Sequence, residues 1–222
     1  MAKVFVCFTG SDGSGKSTIA SSIFDSMLHE NKKTKKIYGR YRPLLTKHLT
    51  ALAKRLFLHS DNEMSSDYDG FLNNRRSLLK ASSFISQIYL YTVIAEYIFQ
   101  ITIKLTIPYR LGYSIICDRY IYDTIINDIS LYAGLSVDET NDLLRKAWYF
   151  IPKPDIVFHL HVPEEVALQR KNDIPSLDYL RIRNKLYSEL AGSQHFLFLD
   201  GTIDSSILKK TVLEEINRLL EN

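Results

Sequence analysis

The sequence predicts an α/β domain built on a parallel sheet, and three observations carry that prediction. Short, nearly continuous apolar runs recur along the chain, as they do in strands buried on both faces. Segments with helical periodicity separate most of these runs, which is the alternation of βαβ units. The first run ends in a glycine-rich turn that opens directly into a helix. No repeat, low-complexity tract or linker interrupts the pattern, so residues 1–222 read as one domain.

Lys3–Phe8 is the first strand, and Ser17–His29 is a helix with Ile19, Ile23, Phe24, Met27 and Leu28 on its apolar face. Asn31–Lys36 carries four lysines in six residues and reads as a solvated turn before a short strand at Lys36–Tyr38. Leu44–Leu58 has helical spacing, and His59–Gly70 is a polar loop. Leu78–Thr106 is one long helical region or two abutting helices, stopped by Pro108. Tyr113–Cys117, Asp155–Leu160 and Phe196–Leu199 are the remaining strands. Val137–Phe150, Glu164–Lys171, Ser176–Ala191 and Ser205–Leu220 are the remaining helices.

Composition excludes several classes. With 45% hydrophobic and 24% charged residues, the chain is an ordinary globular one, neither disordered nor a disulfide scaffold. A net charge of +3 is too small to argue for nucleic acid. Cys7 and Cys117 lie inside apolar runs and read as buried thiols of a reducing, cytoplasmic compartment. The twenty residues from Ile88 to Ile107 are long enough to span a membrane, but Thr92, Glu96, Gln100 and Lys104 put a polar stripe on one helical face. A buried or dimer-forming helix fits that stripe, and no membrane partner is expected. Aromatic residues, with 14 tyrosines and 11 phenylalanines, are the compositional excess. Many sit in the strands, and the rest gather on the long helix and around residues 113–122.

The chemistry starts at Gly10-Ser11-Asp12-Gly13-Ser14-Gly15-Lys16-Ser17, an unbroken match to G-x-x-x-x-G-K-[ST] between a strand and a helix. Glycines let successive backbone N–H groups face phosphate oxygens, and the following helix adds its dipole. Gly10, Asp12, Gly13, Ser14, Gly15, Lys16, Ser17 and Thr18 form the candidate set for Mg²⁺-ATP. Lys16 is expected to reach the β- and γ-phosphates and Ser17 to offer its hydroxyl to Mg²⁺. A second signal is Asp118-Arg119-Tyr120 at the carboxyl end of an apolar strand, where ligands bind in such sheets. Asp118 suits the metal, and the planar fork of Arg119 suits an acceptor phosphate.

Two basic clusters complete the candidates. Arg170 and Lys171, followed by Arg181, Arg183 and Lys185, could form a lid over the transferred group at about residues 170–185. Arg40-Tyr41-Arg42 after the second strand could meet the acceptor. His159 and His161 share a strand face but have no third ligand at a sensible spacing, so a structural role is expected for them.

On residues 8–18, 116–124, 152–171 and 199–216, the chain resembles the thymidylate kinase family of P-loop nucleotide kinases. The resemblance implies a three-layer P-loop NTPase fold, with a five-stranded parallel sheet flanked by helices. It also implies ATP and Mg²⁺ as cofactors and transfer of the γ-phosphoryl group to a nucleoside monophosphate, dTMP in the family's reaction. It further suggests a homodimer through long helices. Carried onto this chain, Asp12 faces the acceptor sugar, Arg119 its phosphate and Asp118 the metal, and Arg170 belongs to the lid. The acceptor region covers about residues 40–110, with Arg40, Arg42, Glu96, Tyr97 and Tyr120 as candidates beside Asp12 and Arg119. Catalysis falls to Lys16, Asp118, Arg119 and Arg170.

The chain departs from the family around the acceptor. It has Tyr41-Arg42-Pro43 after the second strand, Glu96-Tyr97 on the long helix, and Asp123 and Ile126-Asn127-Asp128 after the Asp-Arg pair. Two other readings therefore stay open. One is a P-loop kinase acting on a different nucleoside, nucleotide or small hydroxyl compound; the other is a nucleotide-binding module without turnover.

Overall fold

The computed structural model describes residues 3–43, 83–130 and 136–221. The helix expected at Leu44–Leu58, the loop at His59–Gly70 and the start of the long helix lie outside the described residues.

Five strands, β1 (Phe5–Thr9), β2 (Thr34–Tyr38), β3 (Ser114–Asp118), β4 (Ile156–His161) and β5 (Leu197–Asp200), form one sheet in the order β2-β3-β1-β4-β5. Every pairing is parallel. All five expected strands are present, shifted by one or two residues at most ends.

The three layers follow from alternation along β1. Val4, Val6 and Phe8 face α1 (Lys16–His29) and the C-terminal α8 (Ser205–Glu221), packing on Ile19, Ile23, Met27, Leu208, Val212 and Ile216. Phe5 and Cys7 face the opposite way. There they meet Tyr97 and Ile101 of α2 (Ser83–Ile101), Leu144 of α5 (Val137–Ala147), and Tyr187 and Leu190 of α7 (Leu177–Ser193). Both cysteines are buried and free, side by side in register on β1 and β3.

The long helix does not stop at Pro108. A π-helical turn at Thr102–Thr106 follows α2, and α3 (Ile107–Arg110) then carries Pro108 in its first turn. Proline is tolerated there because a first-turn residue needs no N–H for an i→i−4 hydrogen bond, which is the donor proline lacks. The chain after Arg119 is also helical, through α4 (Ile121–Thr124) and a π-helical stretch at Ile125–Ser130. Apolar periodicity did not mark this element because its buried face includes Asp123, Thr124 and Asn127. Among the described residues, no helix is long and apolar enough to cross a membrane.

Gly10 is where the sheet dictates the loop. Its φ is 139°, and a Cβ there would overlap the Leu160 carbonyl oxygen of β4. Gly10→Ala is expected to cost about 3 kcal/mol, a fall of about 9 °C in Tm by thermal melting. Gly192, near the end of α7, has open space around its Cα. Gly192→Ala is therefore expected to leave Tm unchanged or raise it slightly.

Candidate functional site

The glycine-rich loop joins β1 to α1 at the centre of the sheet, with Gly13 and Gly15 both in left-handed conformations. α1 begins at Lys16 with no side-chain cap, so its first turn keeps N–H groups for a ligand. The Lys16 amine folds back into the loop, donating to the Ser11 carbonyl and to Ser14 Oγ at 3.3 Å. Ser17 and Thr18 are exposed on the outer side of that turn.

Burial first, and then the charge of Arg119, pull the Lys16 pKa down to about 7. The nearby carboxylates oppose this but do not restore it. Above pH 7 the ligand-free protein therefore holds Lys16 largely neutral, whereas a bound polyphosphate favours the charged form. ATP binding at pH 8 is expected to take up most of one proton, and the uptake should vanish below about pH 6. Calorimetry in buffers of different ionisation enthalpy reads this directly. An enthalpy independent of buffer at pH 8 would contradict it.

Beside the loop, β3 pairs with β1 and ends at Asp118, opposite Phe8. Asp118 is buried, and its Oδ1 accepts no hydrogen bond. Arg119 follows in the left-handed region at φ 64°, an uncommon state for a residue with a Cβ. Its N–H donates to the Phe8 carbonyl at 2.9 Å. Its guanidinium reaches two carboxylates, Nη2 to Asp12 at 2.6 Å and Nη1 to Asp123 at 2.9 Å.

Burial would lower the Arg119 pKa, but Asp123, the largest of the opposing charges, turns the shift upward and keeps the group charged. Asp12 behaves likewise. Burial alone would raise it, yet Arg119, Lys16 and Lys171 and the Tyr179 hydroxyl hold it near 2.

Asp123 anchors the wider network and is completely buried. Its Oδ2 accepts from Thr9 Oγ1 at 3.1 Å and from the Tyr120 N–H at 3.2 Å, and its Oδ1 from the Tyr187 hydroxyl at 2.7 Å. Asn127 donates to that same hydroxyl at 2.8 Å and accepts from Arg183 Nε at 2.7 Å. Tyr179, Arg183 and Tyr187 sit four residues apart on one face of α7, which is how that helix reaches the site. Tyr179 hydroxyl donates to Asp12 at 3.1 Å, and its ring lies 3.5 Å below the Arg183 guanidinium.

The structure thus brings together Asp12, Lys16, Asp118 and Arg119 with Asp123 and Asn127, two of the positions where the chain departs from the family, and adds Tyr179 and Tyr187, which the sequence does not mark. The four-residue spacings on α7 and from Arg119 to Asp123 were the available signals.

The lid candidates separate. The connection from α6 (Glu164–Arg170) to α7 is short. Its Lys171 lies 3.7 Å from Asp12 and 3.2 Å from Asp173. Arg170 donates to the Gly201 carbonyl at 2.8 Å, and Gly201 itself packs against the backbone of Ser14. Arg183 is buried inside the site, whereas Arg181 pairs with Asp178 at the surface.

The acceptor candidates also converge in part. Tyr41 hydroxyl donates to Glu96 at 2.9 Å, and Gln100 donates to the Arg42 carbonyl at 2.7 Å. Tyr97 hydroxyl donates to the Gly39 carbonyl at 3.1 Å. These bonds dock residues 39–42 on α2. Arg40 is close enough to act on the Tyr179 phenol, and Arg42 lies over the Tyr38 ring. Tyr120, by contrast, is a core residue, packed on Phe5 and Trp148 with its hydroxyl on the Pro152 carbonyl.

His159 and His161 do not form a metal pair. His159 is buried between Tyr187 and Phe198, and burial drops its pKa to about 4. His161 is exposed at the strand end. Among the described residues, no group of three or more metal-ligating side chains forms a metal site. Mg²⁺ needs no such cage, because it binds through one or two protein oxygens plus substrate phosphates. The orphaned Asp118 carboxylate oxygen and the exposed Ser17 hydroxyl fit that requirement.

A parallel sheet with a phosphate-type loop on its central strand, and Asp118-Arg119 at the end of the neighbouring strand, defines an α/β protein of the P-loop NTPase fold. The chain is similar to thymidylate kinases. Over 109 residues it is 33% identical to a probable thymidylate kinase of Methanocaldococcus jannaschii, covering 48% of this chain and 52% of that protein. It therefore spans about half the length of that relative. It is 22% identical to the thymidylate kinase of Plasmodium falciparum over 230 residues, 97% of this chain and 90% of the relative. It is 23% identical to a probable thymidylate kinase of Archaeoglobus fulgidus over 225 residues, 99% and 95%. No family model matches the chain.

Proposed function

We propose that the chain is an ATP-dependent nucleotide kinase that transfers the γ-phosphoryl group to a nucleoside monophosphate, with dTMP as the acceptor. The observation that carries this reading is the link from the phosphate loop to Arg119. Asp12, inside the loop, touches the guanidinium at the end of the adjacent strand, so a donor on Lys16 and an acceptor on Arg119 would meet over one short span. The names of the relatives support the nucleotide class and favour dTMP.

In this mechanism Lys16 holds the β- and γ-phosphates, and Arg119 orients the acceptor phosphate. Lys171, close to Asp12 in the loop, is the cation assigned to cover the transferred group, Arg183 holds Tyr179 and Asn127 in place behind it, and Arg170 steadies the 201 loop against Ser14. Positioning and charge do most of the work in phosphoryl transfer. Mg²⁺, held by Ser17 and Asp118, would neutralise phosphate charge when bound.

A second reading, a kinase with a different acceptor, is favoured by one observation: Asp12 and Asp123 already pair the guanidinium meant for the acceptor phosphate. ADP release with Mg²⁺-ATP, measured across nucleosides and their monophosphates, separates the two. Turnover with dTMP far above the rest supports the first, and a preference for another acceptor supports the second. ATP binding without ADP release for any acceptor would overturn both.

We further propose a homodimer through the outer face of the long helix. Tyr91, Phe99, Ile103, Ile107 and Leu111 form an exposed apolar stripe there at mostly four-residue spacing. The two buried free thiols support a reducing compartment, and so the cytoplasm.

A further inference from the structure

We propose that Asp123 is a specificity-determining residue that sets how much negative charge the acceptor site admits. This rests on the reading of Arg119 as the residue that receives the acceptor. Asp12 and Asp123 place two carboxylates on the one guanidinium of Arg119, and Lys171, 3.7 Å away, reaches only the Asp12 end. Asp123 cannot leave, because it is fully buried and its two oxygens take donors from Thr9, Arg119, Tyr120 and Tyr187. An acceptor phosphate can compete only with Asp12, at the Nη2 end, where the carboxylate is partly exposed. Even after displacing Asp12, that phosphate sits close to a second fixed carboxylate. The site therefore holds a phosphate monoester weakly and separates it poorly from an acceptor bearing a hydroxyl in that place.

Asp123→Asn removes the charge while keeping most of the shape. Its remaining oxygen still accepts from Arg119 and Tyr187, and its amide can donate to the Thr9 hydroxyl; the Tyr120 N–H alone loses its acceptor. Asp12→Asn relieves the other end of the guanidinium at a more exposed position, and so tests the same idea should Asp123→Asn fail to fold. Asp123→Glu keeps the charge.

The test is titration of the full chain with dTMP and with thymidine by calorimetry, Mg²⁺ and a non-hydrolysable ATP analogue being present throughout. The wild-type chain is expected to bind dTMP within about tenfold of thymidine, and Asp123→Asn to raise that ratio by at least about tenfold. Asp12→Asn should move the ratio in the same direction, and Asp123→Glu should leave it near the wild-type value.

A ratio unchanged or lowered in a variant that still melts cooperatively would overturn the proposal, since a purely structural carboxylate predicts that result. Failure of every protein to bind dTMP would also overturn it, because a relieved Arg119 must gain affinity for an anion. Failure of the kinase reading shows separately, as absence of ADP release with any acceptor whatever the binding ratio.

Discussion

Replacing Lys16 with alanine is expected to lower ADP release by about 10³-fold, because a charge aimed at the transferred phosphate is lost from a water-poor loop. The effect should fall on kcat as well as on ATP affinity, because the charge is needed most as phosphate charge develops. Stability should hardly change. The amine is buried at a desolvation cost large enough to bring its pKa to about 7, which offsets its two hydrogen bonds to Ser11 and Ser14. Activity and thermal melting measured on the same preparation check both halves. A variant that loses activity only because it unfolds would show a large fall in Tm and refute the assignment.

Arg119→Ala is expected to raise the acceptor KM by about tenfold while leaving the ATP KM within a few-fold. It should also destabilise the protein by about 3–5 kcal/mol, because Asp123 would remain buried without its cation. Acid sensitivity gives an independent check. In the wild-type chain Asp12 is held near 2, well below 3.8, by Arg119, Lys16 and Lys171 against the opposing effect of burial. Its contribution to stability is present above about pH 4 and lost as pH falls toward 2. Without Arg119 that loss should begin at higher pH. An unchanged acceptor KM would refute the phosphate-gripping role, and an unchanged acid midpoint would refute the pairing.

Different parts of the molecule were legible to different degrees. Strand positions could be read because β1, β3 and β4 are buried along most of their length, so apolar residues dominate their centres. The phosphate loop could be read because its backbone geometry demands glycines, and Gly10 shows how little room there is for anything else. Pro108 misled, since a proline ends a helix only where the i−4 bond is needed, and the π-helical turn before it removes that need. Tyr120, adjacent to Arg119, was read as an acceptor residue. The left-handed backbone at Arg119 sends the guanidinium toward Asp12 and Asp123, while the Tyr120 ring goes into the core.

By itself the sequence determined the phosphate-type loop, the parallel sheet around it, and the Asp118-Arg119 pair at the strand end. Those depend on residues close together in the chain, where local geometry ties residue type to conformation. Tertiary structure alone decided the network around Arg119. Asp12, Arg119, Asp123, Tyr179 and Tyr187 come from the loop, the end of β3, the helix after it and α7, and no local pattern announces that they all meet. Their chemistry lies in how much of the Arg119 charge remains for a ligand. That quantity depends on which carboxylates the fold buries beside it, and a sequence does not display burial around a single side chain.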